Sequence, residues 1–202
     1  MSVAPVESAR DRRRLRARRD LALAAVMLFE QQGFAATPVE EIAAAADYSA
    51  STFFRMFTRK EDAVFFDMPD RLESLRMTVP ADATWPDVRA ALVEHAHTWE
   101  ADDPAFAAAR VRLLHREPSL TSRYLEYCQE YEVWLTELVS NRSGADPQTD
   151  VAAQLAAGCI IAAFRSAFSV QAALPARKAA SVVEYLEAAF DALEAGPLAP
   201  VT

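Results

Sequence analysis

Apolar residues recur along this chain at helical spacing, and no stretch alternates with the two-residue period of a half-buried strand. The first stripe is Leu21, Ala22, Ala25, Val26, Leu28 and Phe29, which predicts an amphipathic helix ending near Gly33. Ahead of it lies an arginine run over residues 10–19, and residues 1–9 read as disordered. Two short helices come next. Val39, Ile42 and Ala43 share one face of the first, and Phe53 and Phe57 share one face of the second. A fourth helix over 61–79 carries Ala63, Val64, Phe65, Phe66, Leu72 and Leu75, with Pro69 interrupting it. Five more helices are expected: Thr84 to about Trp99, Asp103 to Leu114, Pro118 through Leu138, Val151 to Ala173, and Pro175 to near Gly196. The fold class is therefore all-α, with about nine helices. No apolar run reads as long enough to span a bilayer.

The segment Thr37–Lys60 has the most specific local chemistry. Thr37, Pro38 and Glu40 read as a helix start, with the Thr37 hydroxyl accepting from the backbone and Glu40 reaching back. Ala43 is small enough to let a second helix cross closely. The corner is Ala46-Asp47-Tyr48. A turn this tight usually takes Gly in the left-handed region, and Asp47 substitutes because its short side chain bonds locally. Ser49 caps the next helix. With Phe53 and Phe57 turned inward, Ala50, Ser51, Thr52, Arg55 and Met56 are left on other faces, where small and hydroxylated side chains approach phosphates and base edges. Thr58-Arg59-Lys60-Glu61 reads as a second capping box, with Lys60 in a first turn that attracts anions. This is a helix-turn-helix reading; two capped helices in any all-α domain are the plainer alternative.

Leu28-Phe29, Gly33-Phe34, Thr37, Glu40 or Glu41, Ile42-Ala43, Ser49, Thr52-Phe53-Phe54-Arg55, Phe57 and Lys60-Glu61-Asp62 together resemble the TetR (tetracycline-repressor) family of regulators over roughly residues 10–65. The resemblance implies a three-helix DNA-binding domain over 10–65 and a helical effector-binding and dimerisation domain over 66–197. It departs from the family at the corner, where Asp47 stands for Gly, and at Phe54, where many members have Tyr and its phosphate-bonding hydroxyl. The implied DNA-contacting set is Arg18, Arg19, Thr37, Ser49, Ala50, Ser51, Thr52, Phe54, Arg55 and Lys60. The basic run over 10–19 reads either as a solvated helix face or as a phosphate clamp or groove-reaching arm, and Arg18 and Arg19 lie nearest the folded domain.

Charge sharpens this picture. The net charge is −8, yet residues 1–60 carry +3 and residues 61–202 carry −11. An acidic body repels DNA, so the basic head must do the binding. Cys128 and Cys159 are isolated, with no disulfide framework, which suits a reducing cytoplasm. Arg18-Arg19 ahead of Leu21–Phe29 mimics a twin-arginine export signal, but Glu30 stops the short apolar run and no cleavage site is evident.

In the body, residues 151–173 are apolar on nearly every side, and a helix of that kind is buried all round. Ala156, Ala157 and Gly158 allow close approach, and Val182, Val183, Leu186, Ala189, Phe190 and Leu193 form a matching stripe. The expectation is a homodimer through a four-helix bundle of the last two helices from each copy, presenting two recognition helices to a palindromic operator in double-stranded DNA. An intramolecular core is the alternative. His95 and His97 face different ways on a helix, so no metal site is expected, nor any cofactor. No nucleophile elbow or catalytic triad order is visible, and four glycines are too few for a dinucleotide fingerprint. Trp99, Phe106, His115, Tyr124, Cys128, Tyr131, Phe164 and Phe168 are candidates to line an apolar ligand cavity, although each taken singly is more often core. Arg165 faces either that cavity or water at a dimer edge. Arg112-Leu113-Leu114, Glu117-Pro118-Ser119-Leu120 and Arg123-Tyr124-Leu125-Glu126 more loosely resemble regulators with acyl-CoA-type effector domains, such as the mycofactocin-system regulator. The expectation is a cytoplasmic, non-enzymatic regulator, most simply a repressor released by a small apolar or acyl-type effector. A helical binding or adaptor protein without DNA function is the rival.

Overall fold

In the computed structural model, which describes residues 8–174 and 180–196, the Ser8 hydroxyl accepts from the Asp11 N–H at 3.2 Å and starts helix α1, Ala9–Gln32. Ser8 and Ala9 thus belong to an ordered helix start, against the expectation of disorder through residue 9; residues 1–7 lie outside the described residues. Gly33, at φ 89°, ends α1 with its N–H on the Phe29 carbonyl. Helix α2 is Val39–Ala45 and α3 is Ala50–Met56. Between them Asp47 takes φ 59°, the sole non-glycine in the left-handed region among the described residues. The corner is built as its sequence requires.

Two local readings are corrected. Thr37 does not cap α2: it is fully buried and its hydroxyl donates to the Gly33 carbonyl at 2.7 Å, while Pro38 precedes the helix without a side-chain cap. The second capping box forms one residue later, with the Arg59 N–H on Asp62 Oδ2 at 2.9 Å, and what it starts is a short 3-10 turn, Lys60–Ala63. Leu21, Ala22, Ala25, Phe29, Ile42 and Phe53 are all buried, so α1 lies across the two helices of the motif. Leu21, Phe29, Ile42 and Phe53 each contribute roughly 1.5–3 kcal/mol by leaving water.

The chain divides into two units, residues 1–66 and 67–202. The second holds α4 (Met68–Thr78), α5 (Trp85–Asp102), α6 (Pro104–Arg116), α7 (Pro118–Ser143), α8 (Val151–Ala173) and α9 (Val182–Ala195). Pro69 does not interrupt a helix; it sits in the first turn of α4, where its missing N–H has no intrahelical partner to lose. The expectation that Pro175 opens the last helix lies outside the described residues. The Asp150 carboxylate caps α8 through the Ala153 N–H at 3.0 Å, and Gly144, at φ 69°, closes α7. Helix α8 packs on α7 and α9, and α5 on α4, α6 and α9. Leu92, Leu135, Ala157, Leu186 and Phe190 form the dry centre of this unit.

With 23 residues, and a mean hydropathy of 1.6 over an 18-residue stretch, α8 is long and apolar enough, by length and composition, to cross a membrane. That corrects the expectation that no run reaches this length; the interior helix of a bundle passes the same test. Its small residues serve α7 first. Ala157 is fully buried, and a Cβ at Gly158 would meet Glu132 Oε1 at 3.4 Å. The opposite face is open in the single chain, with Val151 76% and Leu155 67% exposed.

Candidate nucleic-acid interface and effector region

The exposed face of α3 follows from what its other face buries. Phe53 is fully buried, with Phe57 at 5.2 Å between ring centroids, and this anchors the helix from within. Ser49 Oγ accepts from the Thr52 N–H at 3.2 Å and lies 2.9 Å from Ser51 Oγ and 3.1 Å from Thr52 Oγ1. Arg55 Nη2 reaches Thr52 Oγ1 at 3.5 Å. Ser49, Ser51, Phe54 and Arg55 are exposed, and Ala50 and Thr52 are half-buried. These six expected DNA-contacting residues therefore all lie at accessible or half-buried positions of one short helix and its cap. Its hydroxyls are already ordered, and the Arg55 cation lies at the last turn.

Beside α3 runs a concave groove of about 1040 Å³, lined by Arg10, Arg13, Arg14 and Arg16 of α1 together with Thr52 and Arg55. Asp11 and Asp20 line it too, so its charge is basic but not uniform. The Tyr48 hydroxyl donates to Asp20 Oδ2 at 3.2 Å and ties the motif's corner to α1. The early arginines of α1 are thus the basic residues of that helix that lie alongside α3 in the groove. Nearness to the folded domain favours Arg18 and Arg19 instead, and the structure does not place those two in the groove.

Three expected DNA contacts are turned to other work. Arg18 Nη2 donates to the Phe66 carbonyl at 2.5 Å, and its guanidinium carbon lies 5.9 Å from the Phe57 ring centre. Lys60 Nζ donates to the Phe34 carbonyl at 2.6 Å and the Thr37 carbonyl at 2.9 Å, and stands 4.0 Å from the Phe34 ring centre. Thr37 is the buried residue described above. All three side chains point into the head because irregular backbone at residues 33–38 and 64–66 leaves carbonyls that need donors. Arg19 is exposed but does not line the groove.

In the second unit the aromatic candidates form two groups. Phe168 lies 5.3 Å from Trp99 and 5.8 Å from Tyr124 between ring centroids, and Phe164 faces Phe190 at 6.1 Å. Burial pushes the Cys128 thiol up to about 11, so it is a neutral thiol, and burial likewise holds the Tyr124 and Tyr131 hydroxyls protonated. His115 stands apart from them. It is exposed and lines a second concavity of about 750 Å³ with Glu100, Arg112, Arg116 and Gln171. A third concavity, about 710 Å³, is lined by Trp85, Val88, Leu138, Ile160 and Leu193 and holds none of the expected residues.

Among the described residues of this unit the buried arginine is Arg110, 2% exposed, while Arg165 is exposed on α8. Arg110 Nη2 meets Asp67 Oδ1 at 2.6 Å, and Asp67 Oδ2 takes Arg71 Nε at 2.7 Å. Arg71 Nη2 also reaches Asp102 at 2.7 Å. The Tyr131 hydroxyl donates to the Met68 carbonyl at 3.3 Å and lies 3.5 Å from His95 Nε2. Burial, and then the Arg71 charge, lowers the His95 imidazole to about 4, so it is neutral at pH 7. Sequence reading misses this network. The signals are present: Asp67 and Arg71 are four apart, and Arg110 falls on the apolar face of α6 with Phe106, Ala107, Val111 and Leu114.

A capped, exposed helix behind a left-handed corner, flanked by an arginine groove, defines a helix-turn-helix DNA-binding protein. Residues 22–64 match the bacterial regulatory proteins of the tetR family, and residues 82–197 match the MftR C-terminal domain. The chain belongs to the TetR family of transcription regulators, with an MftR-type C-terminal domain. It is a DNA-binding regulator and not an enzyme. It is 29% identical over 191 residues to the HTH-type transcriptional regulator TcmR of Streptomyces glaucescens, covering 90% of this chain and 83% of that one. The fold is similar to that of the fatty acid degradation regulator FadR of Bacillus halodurans, with TM-score 0.62 and 19% identity over 88% of this chain and 97% of the other. It is also similar to Thermus thermophilus FadR, a repressor solved with lauroyl-CoA, with TM-score 0.54 and 19% identity over 92% and 97% of the two chains.

Proposed function

We propose that this regulator is a cytoplasmic homodimeric repressor that binds a palindromic operator and releases it on taking up a small apolar or acyl-type effector. Residues 10–65 act as the DNA-binding domain and 66–197 as the effector and dimerisation domain. The observation that carries the reading is the accessible face of α3 beside the groove of Arg10, Arg13, Arg14 and Arg16. In this reading Ser49 and the α1 arginines fix register on phosphates, and Ala50, Ser51, Thr52, Phe54 and Arg55 face or flank the bases. The open face of α8, with Val151, Leu155 and Val170 exposed, supports burial against a second copy through the last two helices. Two heads held about 34 Å apart would then read successive turns of one duplex face.

The acyl-type effector is suggested by the lauroyl-CoA complex of the T. thermophilus relative, and by the aromatic and apolar side chains of Trp99, Phe106, Tyr124, Tyr131, Phe164 and Phe168. About 3 kcal/mol of differential effector binding between the two states is enough to change operator occupancy near a hundredfold. The test is selection of genomic fragments by purified protein, followed by binding titrations on the winning site with and without lauroyl-CoA. A palindromic site whose occupancy falls on addition is expected. Selection of no sequence above random DNA would remove the repressor reading.

A further inference from the structure

The outward side of α3 is chemically lopsided. At 3.6 residues per turn, the buried Phe53 and Phe57 fix the inward direction and Arg55 stands roughly opposite. Thr52 and Met56 take the flank that lines the arginine groove. Phe54 takes the other flank, with Ala50 one turn before it, and neither lines that groove. Phe54 is 57% exposed, more than any other large apolar side chain among the described residues of the head. Its ring packs at 83° to the buried Phe53 ring, with 5.7 Å between centroids. A single exposed apolar residue is ordinary on a protein surface. This one is propped outward from the core within a helix whose other exposed side chains, Ser51 and Arg55, are polar.

We propose that Phe54, with Ala50 beside it, is a specificity-determining residue that reads the 5-methyl group of a thymine in each half-site of the operator. The inference rests on the operator-binding part of the reading above and deepens it by naming a base. A phenyl ring has no hydrogen bond to offer a phosphate or a base edge. The apolar group it meets in a major groove is the thymine C5-methyl. That methyl stands at the side of the base nearest its own sugar–phosphate wall, where the flank of an inserted helix passes. Ring and methyl leave water together, and a pyrimidine without the methyl leaves the ring partly wet. On the opposite flank the arginine groove attracts any sequence alike, so the two flanks divide specificity from affinity.

The test takes the site that the full chain selects from genomic fragments and replaces each thymine in turn by deoxyuridine, which removes only the methyl. In the wild type one thymine position of each half-site should respond. Affinity should fall about fourfold when one half-site is substituted and about fifteenfold when both are. Phe54→Ala should bind the thymine and deoxyuridine forms of that position alike. Its folding is not at stake, because Ala is the best helix former at an exposed position. Phe54→Tyr keeps the ring and should keep the discrimination. A selected site in which no thymine responds to deoxyuridine overturns the inference and leaves operator binding standing. Phe54→Ala that weakens every DNA alike, with the deoxyuridine response intact, overturns it too, since the ring would then pack on sugar and phosphate. A wild type that prefers no sequence removes the operator reading and this inference together.

Discussion

Lys60 separates two physical roles that a sequence alone merges. As a phosphate partner, its removal would cost no stability and would lower the salt slope of DNA binding by about 0.9 per phosphate. As an internal donor, it should do the reverse. Its ammonium gives two short bonds, 2.6 Å to the Phe34 carbonyl and 2.9 Å to the Thr37 carbonyl, and stands over the Phe34 ring. Hydrogen bonds to a charged group contribute roughly 1.5–3 kcal/mol each, and a partly solvated cation over a ring about 0.5–1. The side chain is only half-buried, so water re-solvates part of what a substitution exposes. Lys60→Met, which keeps the apolar stem, should therefore destabilise the head by about 2–3 kcal/mol. Urea unfolding followed by circular dichroism sees both units, whereas fluorescence reports the second alone, because Trp85, Trp99 and Trp134 all lie there. The expected result is an early dichroism transition that fluorescence does not share, together with an unchanged salt slope in the absence of urea. A slope lowered by about 0.9 for each subunit, with stability intact, would refute the internal role and return Lys60 to the DNA.

His95 gives a pH prediction. Its imidazole sits near 4 in the fold against an ordinary 6.5, chiefly through burial, so the unfolded chain binds the extra proton between those values. Stability is then whole above pH 6.5 and falls by up to about 3 kcal/mol as pH drops to 4; His95→Gln should lack this component in melts across that range, and an identical acid profile would refute it. Asp47→Gly should raise stability by about 0.5–1 kcal/mol, because φ 59° strains any residue with a Cβ; a lower urea midpoint would show that the Asp47 side chain contributes a bond of its own. Arg14→Ala with Arg16→Ala should weaken binding to every sequence alike and lower the salt slope by roughly 0.9 for each phosphate no longer neutralised, whereas a change confined to certain sites would mean base reading.

The helix-turn-helix is legible because its signals are local. A cap at Ser49, a corner at Asp47 and a Phe53–Phe57 pair each need only a few residues of context, and each stands as read. Capping logic fails at Thr37 because it assumes the hydroxyl faces the helix it precedes. There the loop after Gly33 turns the side chain inward, and a tertiary bond wins. The body's polar network escapes a sequence reading for a different reason. A single arginine in an apolar stretch attracts notice, so Arg165 stands out, but an amphipathic face is the better guide. Arg165 lies on the open side of α8, while Arg110 sits among Phe106, Ala107 and Val111 on the buried side of α6.

The same face argument explains how the head divides its cations. A unit of 66 residues buries a small core and has little to spare for unsatisfied backbone. On α1 the inner face is set by Leu21, Ala22, Ala25 and Phe29. Counting back by three and four reaches Arg18, which becomes a donor to the Phe66 carbonyl, and Ala17, which is buried. One further turn back, at Arg13 and Arg14, the protein core has ended and the same helix projects beyond it. Basic residues near the folded centre are therefore drawn into satisfying carbonyls, and Arg13 and Arg14, a turn outward, are left facing the groove where phosphate would run. Proximity to the core, which makes Arg18 and Lys60 attractive as DNA contacts, is what assigns them to the fold.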